Sequence, residues 1–280
     1  MQHQKGGVVM KKAIVIDTSK CMGCRGCQVA CKQWNQLPAD STTFTGSYEN
    51  PPRVSPSTWM RVTFQEEETD KGIKWFFGNQ RCMHCSDAAC EIVCPVGAIY
   101  HTDAGSVDIN FDKCIGCNYC AANCPFKVIS FDRKTDLPTK CTFCYDRLAN
   151  GYQPACANAC PTGAIQFGDR GDLINQASRK VMALQQNGNA NASLYGLEEL
   201  SGTGMMFILE DTPSHYNLPD SPVVSIQARL WSLLFRPLRI FVVLALALGL
   251  WGNYNQSKNI KEAVHTKQTK LNTSDDSGAR

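Results

Sequence analysis

The sequence predicts an α+β fold: two small cysteine-rich modules, one nested inside the other, followed by a C-terminal transmembrane helix. Three observations predict it. Sixteen cysteines in 280 residues fall into four groups of four, with none left over. A strand, loop, short helix and turn recur around those groups. Near the C-terminus an uncharged apolar stretch runs from Ile240 to Trp251. With 43% apolar residues the chain is apolar enough to fold. A net charge of +3 gives no basic stripe, so no nucleic-acid partner is expected.

Cysteine spacing decides the chemistry. The first group, Cys21, Cys24, Cys27 and Cys31, reads C-x2-C-x2-C-x3-C, and the third, Cys114, Cys117, Cys120 and Cys124, reads the same. The second, Cys82, Cys85, Cys90 and Cys94, has a longer middle gap. The fourth, Cys141, Cys144, Cys156 and Cys160, has the longest. Pro95, Pro125 and Pro161 follow the last cysteine of three groups, where the missing donor helps to end a helix. Lys32 stands there in the first group. Cysteines two residues apart in a loop are poor disulfide partners. Structural zinc usually takes two C-x2-C knuckles, so a third cysteine at the same spacing is surplus. The pattern is instead the bacterial ferredoxin run, in which three close thiolates grip one [4Fe–4S] cluster and the fourth cysteine reaches the next. Four such groups predict four [4Fe–4S] clusters and two bacterial-ferredoxin-like modules of two clusters each.

The intervals between groups say which pair. Nineteen residues separate Cys94 from Cys114, room for a turn, a strand and a return, so the second and third groups share a module. Fifty residues separate Cys31 from Cys82, too many for that connection, so the first group pairs with the fourth. The repeat agrees. Ala13 to Asp17 before the first group echoes Val107 to Asp112 before the third, and Pro161-Thr162-Gly163-Ala164-Ile165 echoes Pro95-Val96-Gly97-Ala98-Ile99. The exchange rule then assigns ligands. Cluster 1 takes Cys21, Cys24, Cys27 and Cys160, and cluster 2 takes Cys31, Cys141, Cys144 and Cys156. Cluster 3 takes Cys82, Cys85, Cys90 and Cys124, and cluster 4 takes Cys94, Cys114, Cys117 and Cys120. Iron is thus expected on all sixteen cysteines, and none is spared for catalysis.

The expected organisation follows. An outer module spans 11–35 with 136–168, and an inner one spans 82–135. Between them, 36–81 is an inserted segment whose Trp59, Trp75, Phe76 and Phe77, with Trp34 just before it, read as aromatic cover for the clusters or as a partner-facing excursion, the first being favoured. Glu66, Glu67 and Glu68 read as a solvated face. His84 reads as a core or cluster-adjacent residue, and Tyr119 and Phe143 as apolar lining. Residues 169–229 read as a helix over Leu173 to Gln186, a strand over Met205 to Leu209, and a proline-marked descent. The transmembrane helix is expected over 230–254 and a polar tail over 255–280.

The span rests on length. Ile240 to Trp251 gives about 18 Å of helix, short of a bilayer, whereas Leu238 to Tyr254 gives about 26 Å with Arg239 able to snorkel. Trp251 and Tyr254 would mark the far interface. Three basic residues precede the span and four follow it, a slight bias to a cytoplasmic C-terminus.

The residues also resemble a known family. The run Cys21-Met22-Gly23-Cys24-Arg25-Gly26-Cys27-Gln28-Val29-Ala30-Cys31-Lys32-Gln33-Trp34-Asn35 is similar to the β (iron–sulfur) subunits of formate dehydrogenases. So are Thr45-Gly46-Ser47-Tyr48-Glu49-Asn50-Pro51-Pro52 and Gly204 to Leu209 with Tyr216-Asn217-Leu218-Pro219. The resemblance implies a non-catalytic electron-transfer subunit beside a catalytic α subunit that carries a molybdenum or tungsten pterin (molybdopterin) cofactor. It also implies a cytochrome b membrane γ subunit that reduces quinone, with contact to membrane lipid through the C-terminal helix. Location would be the inner membrane, single-pass, with the cluster domain on the periplasmic face and the C-terminus cytoplasmic. Export would occur folded, on the α partner's twin-arginine signal. The β subunit of a polysulfide, sulfoxide or nitrate reductase, or of a hydrogenase, remains the alternative.

Overall fold

In the computed structural model, residues 11–70, 72–231 and 241–258 are described. The chain divides into two compact units, Met1–Arg229 and Leu230–Arg280.

The first unit is organised by a four-stranded sheet whose members come from both ends of the cysteine-rich region. Its order is Ile165–Asp169, Lys12–Asp17, Met205–Leu209, Ser193–Tyr195. Lys12–Asp17 runs antiparallel to Ile165–Asp169, with Ile14 opposite Phe167, and parallel to Met205–Leu209, with Ile14 opposite Met205. The strand that leads into the first cysteine group is thereby paired with the strand that leaves the fourth. Met205–Leu209 is apolar at every position because both faces of the sheet are covered. One face, with Ala13, Val15, Met206 and Ile208, meets the helix Arg170–Gln186. That helix buries Leu173, Ala177, Val181 and Leu184 at helical spacing. The other face, with Ile14, Ile16, Met205, Phe207 and Leu209, belongs to the core that holds the cysteines.

Smaller hairpins surround that core. Ile99–His101 pairs with Val107–Ile109, as the interval between the second and third groups suggests, and Ser130–Asp132 pairs with Leu137–Thr139. The inserted segment contributes a long hairpin, Arg61–Thr69 with Gly72–Gln80, that no sequence pattern announces. Glu66, Glu67 and Glu68 lie on its exposed end. Of the aromatic residues expected as cover, Phe76 is buried and Trp59 and Phe77 pack on the core. Trp34 and Trp75 face outward. Tyr119 is also largely exposed, a correction to its expected lining role, because it opens a four-residue helix on the surface. Phe143 is buried as expected.

Proline controls helix length locally. Ala89–Ile92, Tyr119–Ala122 and Ala155–Asn158 are four residues each and stop just before a Cys-Pro pair. Gly26–Trp34, with Lys32 in place of proline, runs for nine. Lys32 then anchors the following loop, its Nζ donating to Asp40 Oδ2 at 2.7 Å and to the Ser57 carbonyl at 2.8 Å.

The C-terminal expectation is corrected. Among the described residues no helix is long and apolar enough to cross a membrane. Of the span placed at 230–254, residues 232–240 lie outside the described residues, as do 259–280 of the polar tail. The helical stretch 241–258 turns polar at Asn253, Asn255, Gln256 and Lys258.

Because Phe207 is fully buried between the helix-backed sheet and the cysteine core, Phe207→Ala should destabilise the fold by about 3–5 kcal/mol. Ile226→Ala, at an exposed position, should change it by under about 0.5 kcal/mol. Thermal unfolding of the anaerobically purified variants checks both, and equal melting midpoints would contradict the packing.

Candidate metal centre

Each cysteine group begins in a loop that follows a strand and ends at a short helix. Before the first, Asp17 caps the turn Thr18–Lys20, its carboxylate accepting from the Ser19 N–H at 3.1 Å and the Ser19 hydroxyl at 2.6 Å. Gly23 then takes φ +67°, and Phe77 lies where a side chain would go, 2.8 Å from an added Cβ. Gly116 plays the same part in the third group at φ +66°, where a Cβ would stand 2.5 Å from the Asp136 carbonyl oxygen. These left-handed glycines fold the loop back so that its thiols point inward.

The thiols of the outermost sets ring cavities. Cys21, Cys24, Cys27 and Cys160 line one, with about 420 Å³ of empty space including its open mouth. Cys94, Cys114, Cys117 and Cys120 line another of about 330 Å³ on the same measure. Each joins three cysteines from one group with the last cysteine of its partner group. Two further sets appear through mutual repulsion of their thiols: Cys31 with Cys141, Cys144 and Cys156, and Cys85 with Cys82, Cys90 and Cys124. Helix packing produces this exchange. Gly26–Trp34 packs on Ala155–Asn158, and Ala89–Ile92 packs on Tyr119–Ala122. Cys27 and Cys31 lie one turn apart on the buried face of the first helix.

The sets adjoin in a row. Cys27 of the first feels Cys156 of the second, Cys82 of the third feels Cys141 of the second, and Cys90 of the third feels Cys120 of the fourth. At the two ends Cys24 and Cys117 are exposed, whereas all four thiols of the second set are buried. Among the described residues no three or more His, Cys, Asp or Glu side chains are gathered closely enough to hold a single metal ion.

Burial dominates the electrostatics. It pushes the Cys27 thiol up to about 12, with the Cys156, Cys21 and Cys160 sulfurs adding to the shift and Arg81 opposing it. Burial and the neighbouring Cys141 do the same to Cys144, also to about 12, and burial raises Cys82 and Cys120 to about 11. Backbone donors reach other sulfurs of the sets. The Ala98 N–H donates to Cys94 Sγ at 3.2 Å and the Ile165 N–H to Cys160 Sγ at 3.4 Å. Both come from the repeated Gly-Ala-Ile turn, in which Gly97 and Gly163 share φ +64°. The Phe143 N–H donates to Cys141 Sγ at 3.4 Å.

Three residues that cysteine spacing does not single out stand here. Asn79 Nδ2 donates to Cys27 Sγ at 3.8 Å. Arg81 is buried with its Nη2 3.0 Å from Cys156 Sγ. Lys140 is buried too, its Nζ donating to the Val107 carbonyl and to the Cys141 carbonyl at 3.1 Å. The available signal is positional, since Arg81 and Lys140 each immediately precede the first cysteine of a group. His84, expected as core or cluster-adjacent, is fully buried. Its Nδ1 accepts from the Val107 N–H at 3.1 Å. Burial, then the charges of Lys140 and Arg81, holds its pKa far below the usual imidazole value, so the ring is neutral with its proton on Nε2. Among the described residues Asn79 Oδ1, Arg81 Nε and His84 Nε2 have no partner. Soft thiol donors in fours, inward amides and unpartnered polar atoms beside them all fit sulfide-bridged iron clusters.

Comparison with known proteins agrees. Family models described as 4Fe-4S dicluster domains match residues 20–98 and 73–170. The nitrate-inducible formate dehydrogenase iron–sulfur subunit of Escherichia coli is 37% identical over 246 residues, 86% of this chain and 84% of that one. The formate dehydrogenase iron–sulfur subunit of Haemophilus influenzae is 37% identical over 258 residues, 90% and 83% of the two chains. The thiosulfate reductase electron transfer subunit of Salmonella typhi is 36% identical over 192 residues, 67% and 93%. On this likeness along most of its length, the chain belongs to the family of formate dehydrogenase iron–sulfur subunits.

Proposed function

We propose that the chain carries electrons from a formate-oxidising catalytic subunit through four [4Fe–4S] clusters to an acceptor at its opposite end. One observation carries the reading: four adjoining sets of four thiols lead from an exposed cysteine at one end to another at the other. The ligand sets are Cys21, Cys24, Cys27, Cys160; Cys31, Cys141, Cys144, Cys156; Cys82, Cys85, Cys90, Cys124; and Cys94, Cys114, Cys117, Cys120. They lie in an outer and an inner module, the first enclosing the second in sequence. The clusters, when bound, supply one-electron transfer. The protein's own residues hold and insulate them. Amides of Ala98, Phe143 and Ile165 steady sulfurs, and Phe77 covers the first cavity.

The catalytic partner is proposed to be a molybdopterin α subunit, from the relatives' description as subunits of formate dehydrogenase. The far-end acceptor is proposed to be a membrane cytochrome b that reduces quinone, with this chain on the periplasmic side of the inner membrane. Its support is the family resemblance and the need for an acceptor at the second exposed end. The likeness to a thiosulfate reductase subunit favours a second reading, the same relay serving a different catalytic partner. The formate dehydrogenase subunits of Escherichia coli and Haemophilus influenzae described above cover 86% and 90% of this chain, against 67% for the thiosulfate reductase subunit.

Purification of the complex from anaerobic membranes should bring down a formate-oxidising subunit. Formate should then reduce the clusters and a quinone reoxidise them. Recovery with a thiosulfate-reducing subunit instead would decide for the second reading.

Cys31→Ala should abolish the spectroscopic signal of the cluster shared with Cys141, Cys144 and Cys156. Loss of only the signal belonging to Cys21, Cys24 and Cys27 would refute the exchange.

Gly116→Ala must both hold a left-handed backbone and push the Asp136 carbonyl aside. Iron per chain should fall from about sixteen toward about twelve, the loss of one four-iron cluster. Gly23→Ala strains the backbone equally but meets the ring edges of Phe77 and Phe64 in place of a carbonyl, and should lose less. Equal iron in the two variants would count against the loop geometry.

A further inference from the structure

A basic residue immediately precedes the first cysteine of every group: Lys20, Arg81, Lys113 and Lys140. The fold treats them differently. Lys20 and Lys113, before the groups that supply the exposed end sets, are exposed. Arg81 and Lys140, before the groups that supply the inner sets, are buried at 2% and 3% exposure. The buried two are crossed. Arg81 precedes Cys82 of the third set, yet its guanidinium reaches Cys156 of the second at 3.0 Å and acts chiefly on Cys156, Cys141 and Cys31. Lys140 precedes Cys141 of the second set, yet its ammonium donates to the carbonyl of Val107, which packs in one cluster with Cys90 of the third, and its charge bears on Cys82, Cys90 and Cys124.

Burial makes these charges matter. A four-iron cluster with four thiolates carries −2 when oxidised and −3 after accepting one electron. A dry surrounding penalises the added charge and so lowers the reduction potential. The second set, with no exposed thiol, meets that penalty in full. A fixed cation a few ångströms away in a weakly screened interior opposes it. Arginine suits this place because it stays charged when buried. Among the described residues its Nε has no partner, and its Nη1 lies 3.7 Å from the Met60 sulfur.

We propose that Arg81 and Lys140 are potential-setting residues: two buried, crossed cations that hold up the reduction potentials of the second and third clusters, so that the dry middle of the relay is not a barrier between its solvent-exposed ends. This rests on the cluster reading above and adds the assignment of which residue serves which cluster.

The test is a dithionite titration of the anaerobically purified full chain, followed by electron paramagnetic resonance. The second cluster's signal is assigned by its loss in Cys144→Ser, and the fourth by its loss in Cys117→Ser. At fixed solution potential, Arg81→Gln should lower the reduced-to-oxidised ratio of the second cluster at least tenfold, a shift of about 59 mV for one electron. The fourth cluster should be unmoved. Arg81→Lys should keep most of the wild-type potential, and Lys113→Gln, at the surface, should change little. Equal shifts in Arg81→Gln and Arg81→Lys, or no shift in a fully loaded Arg81→Gln, would overturn the proposal. Should Arg81→Gln fail to take up iron, Lys140→Gln reads the same rule on the third cluster. Failure of both to load would overturn it too, making the cations assembly elements. A wild-type chain without four cluster signals would instead sink the relay itself.

Discussion

Sulfur in a dry interior is the constraint to which the rest of this structure answers. A thiol placed out of water resists ionisation, and the structure shows that resistance at Cys27, Cys82, Cys120 and Cys144, all pushed up by burial. Packing several such sulfurs together compounds the penalty, because each would-be thiolate repels its neighbours. A fold that gathers sixteen must therefore supply compensation from its own backbone and side chains. Amides of the two Gly-Ala-Ile turns, the Asn79 amide and the Arg81 guanidinium provide it at named sulfurs.

The sheet is what makes that compensation possible. Small loops around metal sites have little apolar mass of their own, and four-residue helices are too short to stand without tertiary support. Lys12–Asp17 lies between Ile165–Asp169 and Met205–Leu209, with the helix Arg170–Gln186 behind. This provides a rigid wall on which one side of the cysteine core is assembled. The wall also reaches the second group, since the Met83 carbonyl accepts from the Gly204 N–H at 3.0 Å and from the Met205 N–H at 3.1 Å. Residues distant from any cysteine thus fix the placement of the loop that carries Cys82 and Cys85.

Much of this is legible in the amino-acid sequence itself. Cysteine spacing and the Gly-Ala-Ile repeat are local signals with one geometric solution each. The strand over Met205 to Leu209 and the helix over Leu173 to Gln186 follow from unbroken apolar and helical patterns. What stays hidden is long-range or two-faced. Nothing in Met205 to Leu209 announces that it lies parallel to Lys12–Asp17, at the far end of the cysteine-rich region. The hairpin Arg61–Thr69 with Gly72–Gln80 mixes a charged tip with an apolar base and so lacks clean alternation. Nothing in the sequence marks Arg81 and Lys140 as buried, because burial of a charge is set by neighbours that are remote in sequence. The stretch near the C-terminus suggests a span by its uncharged length, yet among the described residues no helix is long and apolar enough to cross a membrane.

The nested pairing has a consequence for biosynthesis. Cys27 leaves the ribosome 133 positions ahead of Cys160, the thiol that faces the same cavity. At 5–20 residues per second, that delay is on the order of ten seconds. The thiols of the central segment, Cys82 to Cys124, all emerge within that interval. A nascent chain stalled before residue 160 would carry three of the thiols that line the first cavity and lack the fourth.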